Sequence, residues 1–293
     1  MIQTVIAKAR AWMPESVKGA IASCGGWDPR GHRFAGHLAR PDLTEKEFLG
    51  VCDALILPNG TRKTTGPARN AILIRKLLDR GLLGKPRTAL DVGASAGLDA
   101  LTTVELLSTV TTIDEYVLGD LHTAVLYDRE RGLVFDEDGN LLQVARGRGY
   151  VAMHFSYAFD FQRVTHAPKK VRPFLMRKTG ADRLAPNGAV ERLPIVHPRM
   201  KLGPPGPFRL RRMDVFAPVE GRFDLVICLH LLVSRYFSAA KIREGEENLA
   251  RALNVGGTLL VGSREDFRLI KRVSEDDYET TRSETLDIGP VTE

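Results

Sequence analysis

Cysteine is scarce: Cys24, Cys52 and Cys228 are the only three in 293 residues, far apart and with no CxxC pair. That spacing supports neither a disulfide framework nor a zinc site, so no metal is expected and a reducing cytoplasm is the expected compartment. No apolar run reaches the roughly 18 residues of a spanning helix, and the first residues lack the long apolar core of a signal peptide. Residues 1–13 pattern as an amphipathic helix, Ile2, Val5, Ile6 and Trp12 against Lys8 and Arg10, whose apolar face is read as a packing face. Repeats and low-complexity tracts are missing as well. What is present is a hydrophobic fraction of 43%, enough for a sizeable core.

Charge is spread unevenly. The formal net is +6, yet residues 144–212 alone hold 15 Lys or Arg against three acids, a net of +12. Tyr150, Phe155, Tyr157, Phe159, Phe161 and Phe174 are interleaved with these charges. A positive field concentrates anionic partners, and aromatics among the charges can stack on bases or enter a membrane interface. A nucleic acid, an acidic lipid surface and an acidic protein therefore all remain open as partners, beside the plainer reading of a solvated lid.

Residues 1–85 read as a helical region packing on the core. Thr44-Glu45-Lys46-Glu47 has capping-box spacing, and Pro67 suits the first turn of a helix running through Ile72, Leu73, Ile74, Leu77 and Leu78 to a stop at Gly81. From residue 86 the pattern changes to buried strands alternating with helices. Strands are expected at Ala89–Val92, Tyr116–Leu118, Phe223–Cys228 and Thr258–Gly262, and helices at Leu98–Leu107 and Ile242–Leu253. This alternation predicts an α/β fold, doubly wound around a mainly parallel sheet, formed by residues 86–122 and 208–293. Residues 123–207 interrupt it as an inserted hairpin followed by a basic lid.

Asp91-Val92-Gly93-Ala94-Ser95-Ala96-Gly97 sits where the first strand turns into a helix. Glycines there let the backbone turn tightly and approach a ligand. With Asp120 at the end of Tyr116–Asp120, Met213-Asp214-Val215 ahead of Phe223–Ile227, and Asn254–Leu260 closing the sheet, the chain resembles the class I S-adenosylmethionine-dependent methyltransferases over about residues 70–272. The resemblance implies a Rossmann-like seven-stranded sheet and S-adenosyl-L-methionine as cofactor. It further implies a donor cleft lined by Asp91, Gly93, Ala94, Ser95, Gly97, Asp120, Asp214, Val215 and Leu229. Asp120 would hold the ribose hydroxyls, with Asp114 as rival, and Asp214 would meet the adenine amino group.

Methyl transfer from a sulfonium needs alignment above all, and a base only where the acceptor must lose a proton. His230, at the exit of the strand through Ile227, is the best-placed base. The Asn/Asp-Pro-Pro-aromatic tetrapeptide of amino-group methylators is missing there, which favours oxygen or carboxylate acceptors over an exocyclic amine. Phe223–Gly262 also has a cadence similar to chemotaxis-receptor glutamate methyltransferases. Two other readings stand beside these. The same turn fits GxSxG, making Ser95 the nucleophile of an α/β serine hydrolase with Asp224 and His230 downstream; alternatively, the fold is a non-catalytic binding module using its basic surface.

The basic segment yields a direct expectation. Binding to heparin or to anionic vesicles should weaken steeply with salt, as released counterions drive it. Replacing Lys169, Lys170, Arg177 and Lys178 with Ala should lower the salt needed for elution from heparin; unchanged elution would assign the segment to a solvated surface.

Overall fold

The computed structural model describes residues 26–28, 30–58, 60–63, 66–153, 165–166, 190–200, 202–234 and 236–286. The chain divides into two compact units, Met1–Thr64 with Ala124–Pro198, and Thr65–Thr123 with Arg199–Glu293. Elements are numbered along the whole chain.

The first unit is built on an antiparallel sheet of β1 (Gly26–Asp28), β4 (Ala124–Asp128), β5 (Leu133–Phe135), β6 (Leu141–Arg146), β7 (Gly149–Ala152), β8 (Thr165–His166) and β9 (Val190–Pro194), in the order β8-β1-β7-β6-β5-β4-β9. Helix α1 (Glu45–Ala54) belongs to it and starts in the expected capping box, with Thr44 Oγ1 accepting from the Glu47 N–H at 3.3 Å. Buried Gln143 ties the sheet to the segments before it. Its amide oxygen accepts from the Ala35 N–H at 2.8 Å, and its Nε2 donates to the Ala54 carbonyl at 3.2 Å.

Three sequence expectations change here. Residues 26–64 are not simply helical, since Gly26–Asp28 is a strand completed by pairing with β7 and β8. A three-residue strand draws its stability from such partners, which local spacing does not reveal. The inserted hairpin is real at β4–β6, but it is the centre of a seven-stranded sheet. The unit boundary falls at 64/65 and 123/124, not at 85/86 and 122/123, because the helix expected to close the amino-terminal region belongs to the second unit. The lid expected over most of 154–189, like the helix expected over 1–13, lies outside the described residues.

The second unit is the α/β one. Its strands are β2 (Thr88–Val92), β3 (Glu115–Asp120), β10 (Phe208–Arg212), β11 (Phe223–Leu229), β12 (Leu253–Gly262), β13 (Phe267–Arg272) and β14 (Tyr278–Arg282), in the order β10-β3-β2-β11-β12-β13-β14. The first five run parallel, and the last two continue antiparallel. Helices α2 (Ala71–Asp79), α3 (Leu98–Leu107) and α4 (Ala239–Arg251) accompany them. Helix α2 starts after Asn70, so Pro67 precedes it by more than the expected first turn; Gly81 ends it at a φ of 68°. Among the described residues no helix is long and apolar enough to cross a membrane.

In register, Leu90 of β2 lies beside Val117 of β3 and Val226 of β11, and Val226 lies beside Leu259 of β12. These residues, with Val92, Cys228 and Val261, form one core cluster with Leu249 and Ala250 of α4. Strand side chains alternate, so the intervening Ala89, Leu118, Leu225, Ile227 and Leu260 face the opposite layer, and all five are buried. Burial pushes the Cys228 thiol up to about 12, keeping it protonated as a small apolar core group.

From β2 the chain moves outward one way to β3 and β10, and then the other way through β11 and β12. The order therefore reverses between β2 and β11, and a crevice opens there beyond the carboxyl ends of the strands. At the opposite end Asp224 ties the same two strands together. One carboxylate oxygen accepts from the Arg87 N–H at 2.9 Å, the Thr88 N–H at 3.0 Å and the Thr88 hydroxyl at 3.1 Å; the other accepts from Asn254 Nδ2 at 2.7 Å.

Burial alone would raise the Asp224 carboxyl, but the bonds from Asn254, Arg87 and Thr88 outweigh it and hold the group below its ordinary value. A lowered folded-state pKa contributes stability that is present above about pH 4 and lost as pH falls through the folded value. Asp224→Ala should cost about 3 kcal/mol by stranding several donors. Thermal melting checks this, and a melting temperature within a degree of wild type at neutral pH would remove Asp224 from the fold's supports.

Candidate functional site

The crevice is floored by the turn after β2. Gly93, Ser95 and Gly97 adopt left-handed φ values of 76°, 58° and 79°. Glycine accepts this conformation freely, whereas at Ser95 it is strained. A β-carbon on Gly97 would lie 2.6 Å from Met200 Sδ, and one on Gly93 would lie 3.2 Å from Leu231 Cδ2. Gly93 is solvent-exposed while Ala94, Ala96 and Gly97 are buried, so the turn meets solvent at its first residue.

The turn's amides are mostly engaged within the fold. The Gly93 and Ala94 N–H groups donate to the Gly119 carbonyl at 2.8 and 3.2 Å, and Gly97 donates to the Ala94 carbonyl at 2.9 Å. The Ser95 N–H donates to Asp120 Oδ2 at 2.9 Å. This differs from a phosphate-binding loop, in which successive amides point at the ligand. Ser95 Oγ is out of reach of solvent and meets no hydrogen-bond partner among the described residues.

Asp120 ends β3 beside this turn. Its second oxygen accepts from the His122 N–H at 3.0 Å, so a backbone N–H orients each carboxylate oxygen. The rival Asp114 precedes β3 at the other end of the sheet, where it pairs with Arg87 at 2.6 Å on the surface. Met213 donates its N–H to the Asp120 carbonyl at 2.9 Å, which places Asp214 at the neighbouring strand's exit. Asp214 is exposed, and its carboxylate accepts from the Phe216 N–H at 3.0 Å. Val215 is buried in the α4 core cluster, while Leu229 is the last residue of β11, paired with Gly262.

Asp91 lies near enough to both Asp99 and Asp120 for their charges to act on it. Asp91 accepts from the Tyr116 hydroxyl at 3.2 Å. Burial, with the nearby charges of Asp99 and Asp120, pushes its carboxyl up to about 7. Asp99, buried in the first turn of α3, is also raised by burial, against the bonds it accepts from Asn70. Those bonds come from the Asn70 N–H at 3.0 Å and from Asn70 Nδ2 at 2.6 Å. Asn70 Oδ1 in turn lies 3.2 Å from His230 Nε2. His230 itself is left-handed, φ 65°, with its N–H on the Gly262 carbonyl at 2.6 Å. Sequence reasoning named Asp91, Asp120 and His230 but neither Asn70 nor Asp99, which the structure brings against His230 and near Asp91; Asp99, two residues into the helix after the glycine turn, was the available signal.

The hydrolase constellation is not assembled. Asp224 and His230 stand near opposite ends of β11, six residues or roughly 20 Å apart in extended chain, and Ser95 Oγ has no hydrogen-bonded base among the described residues.

No family model matches the chain, and no curated protein matches it. Solved structures do. One is the N-methyltransferase NodS from Bradyrhizobium japonicum WM9 in complex with S-adenosyl-L-homocysteine, 12% identical, with 66% of this chain and 58% of that one covered and a TM-score of 0.29. Human N-acetylserotonin methyltransferase in complex with SAM is 13% identical, with coverages of 87% and 48% and a TM-score of 0.35. CalS10, an amino pentose methyltransferase from Micromonospora echinaspora with SAM bound, is 12% identical, with coverages of 75% and 76% and a TM-score of 0.30. The chain thus spans less than two thirds of the length of the first two. Likeness at this level says nothing of activity by itself, and the geometry has to speak for function.

Asp91 offers a test of the site's electrostatics. Its raised folded-state pKa means stability from this group is complete below about pH 4 and is lost as pH rises through about 7. Asp91→Asn should melt with wild type at about pH 4 and several degrees above it at about pH 8. Parallel melting curves across that range would show that Asp91 titrates as an ordinary surface acid.

Proposed function

We propose that the second unit binds S-adenosyl-L-methionine in the crevice beyond β2, β3 and β11 and that the protein is a methyltransferase. One observation carries the reading: three carboxylates, Asp91, Asp99 and Asp120, surround a glycine turn whose Gly93, Ala94, Ser95 and Gly97 amides are already bonded. That environment repels a pyrophosphate and attracts a cation. Adenosylmethionine combines two ribose hydroxyls, suited to the two oriented oxygens of Asp120, with a net positive charge.

The residues fit this molecule. Asp120 would hold the ribose, the exposed Gly93 lets the ligand approach the backbone, and Ser95 Oγ, which has no hydrogen-bond partner among the described residues, would gain one. Asp214 would meet the adenine amino group from the adjoining strand exit, with Val215 and Leu229 as apolar walls. Bound there, the cofactor supplies a methyl group activated by its sulfonium charge. The chain's own task is then positioning and exclusion of water, with Leu231 against Gly93 as part of the wall.

The acceptor in this reading offers an oxygen, as a hydroxyl or carboxylate, because His230 occupies the exit of β11 where amine methylators carry their proline pair. The acceptor or the surface that presents it is anionic, guided by the basic charge of residues 144–212. The enzyme works in the cytoplasm, which its few cysteines suit, Cys52 and Cys228 being free thiols.

Calorimetry with adenosylhomocysteine and adenosylmethionine is the test. Both should bind, and Asp120→Asn should weaken binding by about 10- to 100-fold, as expected for losing a charged hydrogen-bond acceptor. Ser95→Ala should weaken it only a few-fold. Absence of heat with either ligand, or loss of an ester-cleaving activity in Ser95→Ala, would overturn the assignment.

A further inference from the structure

The second unit's sheet ends on β14, and the two sides of that strand are unequal. Toward β13 the pairing is regular, with Ile270 opposite Thr280 and Arg272 opposite Tyr278, and without a bulge. At its two ends the Val273 N–H donates to the Asp277 carbonyl at 3.0 Å, and the Phe267 N–H donates to Ser283 Oγ at 3.3 Å. Main-chain groups alternate in direction along a strand, so those of Glu279 and Thr281 face β13, while those of Tyr278, Thr280 and Arg282 face outward. No described residue bonds the outward groups of Tyr278 or Thr280, and the Arg282 carbonyl accepts from the Thr285 hydroxyl at 2.7 Å. The side chains of Tyr278, Glu279, Thr280 and Arg282 are likewise exposed.

An open edge of this kind is a template for another strand, and proteins usually blunt it with lysine, proline or a bulge. β14 carries none of the three. The opposite edge, β10, is different, because Arg209, Arg211 and Arg212 set it against any copy of itself. On β14 the charges are matched within the chain: Glu279 lies opposite Lys271, and Arg282 pairs with Glu284 at 3.7 Å.

We infer that β14 pairs antiparallel with β14 of a second copy of this chain, joining the two α/β sheets edge to edge about a two-fold axis at Thr280. The order of residues along the strand selects this register. Thr280 then faces Thr280 of the second copy, Tyr278 faces Arg282 at both ends, and Glu279 faces Thr281. Arg272 already lies over the Tyr278 ring, 6.0 Å from its centroid, and Arg282 of the second copy would bring a second guanidinium to the same ring. An axis at Glu279 would set that carboxylate against itself, and an axis at Arg282 would do the same with two guanidinium groups. The axis at Thr280 alone pairs all five residues of β14, and it opposes no like charges. So short a ladder buries too little surface for a permanent dimer, so the association depends on concentration. No residue of the donor crevice takes part, and the inference is independent of the methyltransferase reading.

Sedimentation equilibrium of the full chain, from about 1 µM to about 1 mM, is the test. Wild type should pass from monomer to dimer within that range. The Thr280 N–H faces outward, so Thr280→Pro removes no bond from the chain's own sheet and should weaken the dimer by about 10- to 100-fold through the lost ladder bonds. Thr280→Lys sets two ammonium groups opposite each other and should weaken it by about 10-fold or more, with part of the loss regained as salt screens them. Thr280→Val keeps a β-branched side chain on the axis and should dimerise like wild type. Melting curves at the lowest concentration establish that each variant is folded; if the proline variant melts early, the lysine variant decides. A wild type that stays monomeric throughout would leave this edge to some other protein's strand and overturn the inference. A dimer equally tight in folded Thr280→Pro or in Thr280→Lys would overturn it too, by placing the interface elsewhere.

Discussion

The constraint on which the second unit's chemistry depends is the gathering of Asp91, Asp99 and Asp120 around a single turn. Burial is the main reason that the Asp91 carboxyl rises to about 7, and the nearby charges of Asp99 and Asp120 add to it. Each acid is held by different donors: the Tyr116 hydroxyl, the two N–H groups of Asn70, and the backbone of Ser95 and His122. The fold therefore tolerates the cluster without dispersing it. What remains is a region that gains when a cation or a set of hydroxyl donors arrives, and that loses when a phosphate does.

The same strands carry opposite duties at their two ends. At the amino ends of β2 and β11, Asp224 spends its lone pairs on Arg87, Thr88 and Asn254, leaving a saturated clamp. At the carboxyl ends, Asp120 accepts from the Ser95 N–H on one oxygen and from the His122 N–H on the other, and so aligns the turn after β2. Both residues are aspartates at strand termini. They differ in what they hold: Asp224 ties the starts of β2 and β11 together, whereas Asp120 holds the turn after β2. The strand order reverses between β2 and β11, next to β3, which Asp120 ends.

The parallel core was legible because its strands are buried on both faces. Ala89–Val92 and Phe223–Cys228 read as continuous apolar runs, and α3 falls on Leu98–Leu107 as its pattern requires. β10 was not legible. Phe208-Arg209-Leu210-Arg211-Arg212 forms a parallel edge strand against β3, but its arginines dissolve into a segment whose charge dominates the reading. Arg209 and Arg211 spend guanidinium groups on main-chain carbonyls, a use that composition does not report. In the first unit, β1 escaped notice because three residues carry no periodicity. The turn through Gly93 and Gly97 and its neighbour Asp120 were legible in the strand-turn-helix pattern, while Asn70 stands 160 residues from the histidine it contacts.

Ser95 shows why a motif has to be weighed against its surroundings. Its sequence context satisfies a nucleophile elbow, and its left-handed φ of 58° matches the strain such an elbow requires. A nucleophile, however, needs a base on its hydroxyl, and Ser95 Oγ has no hydrogen-bond partner among the described residues. Its main-chain N–H is the part in use, aiming the carboxylate of Asp120. The strain at Ser95 therefore serves the neighbouring acid: turning this residue left-handed brings the amide to Asp120. An elbow built for attack would show the reverse, with the hydroxyl engaged by a base and the following amides open to an oxyanion.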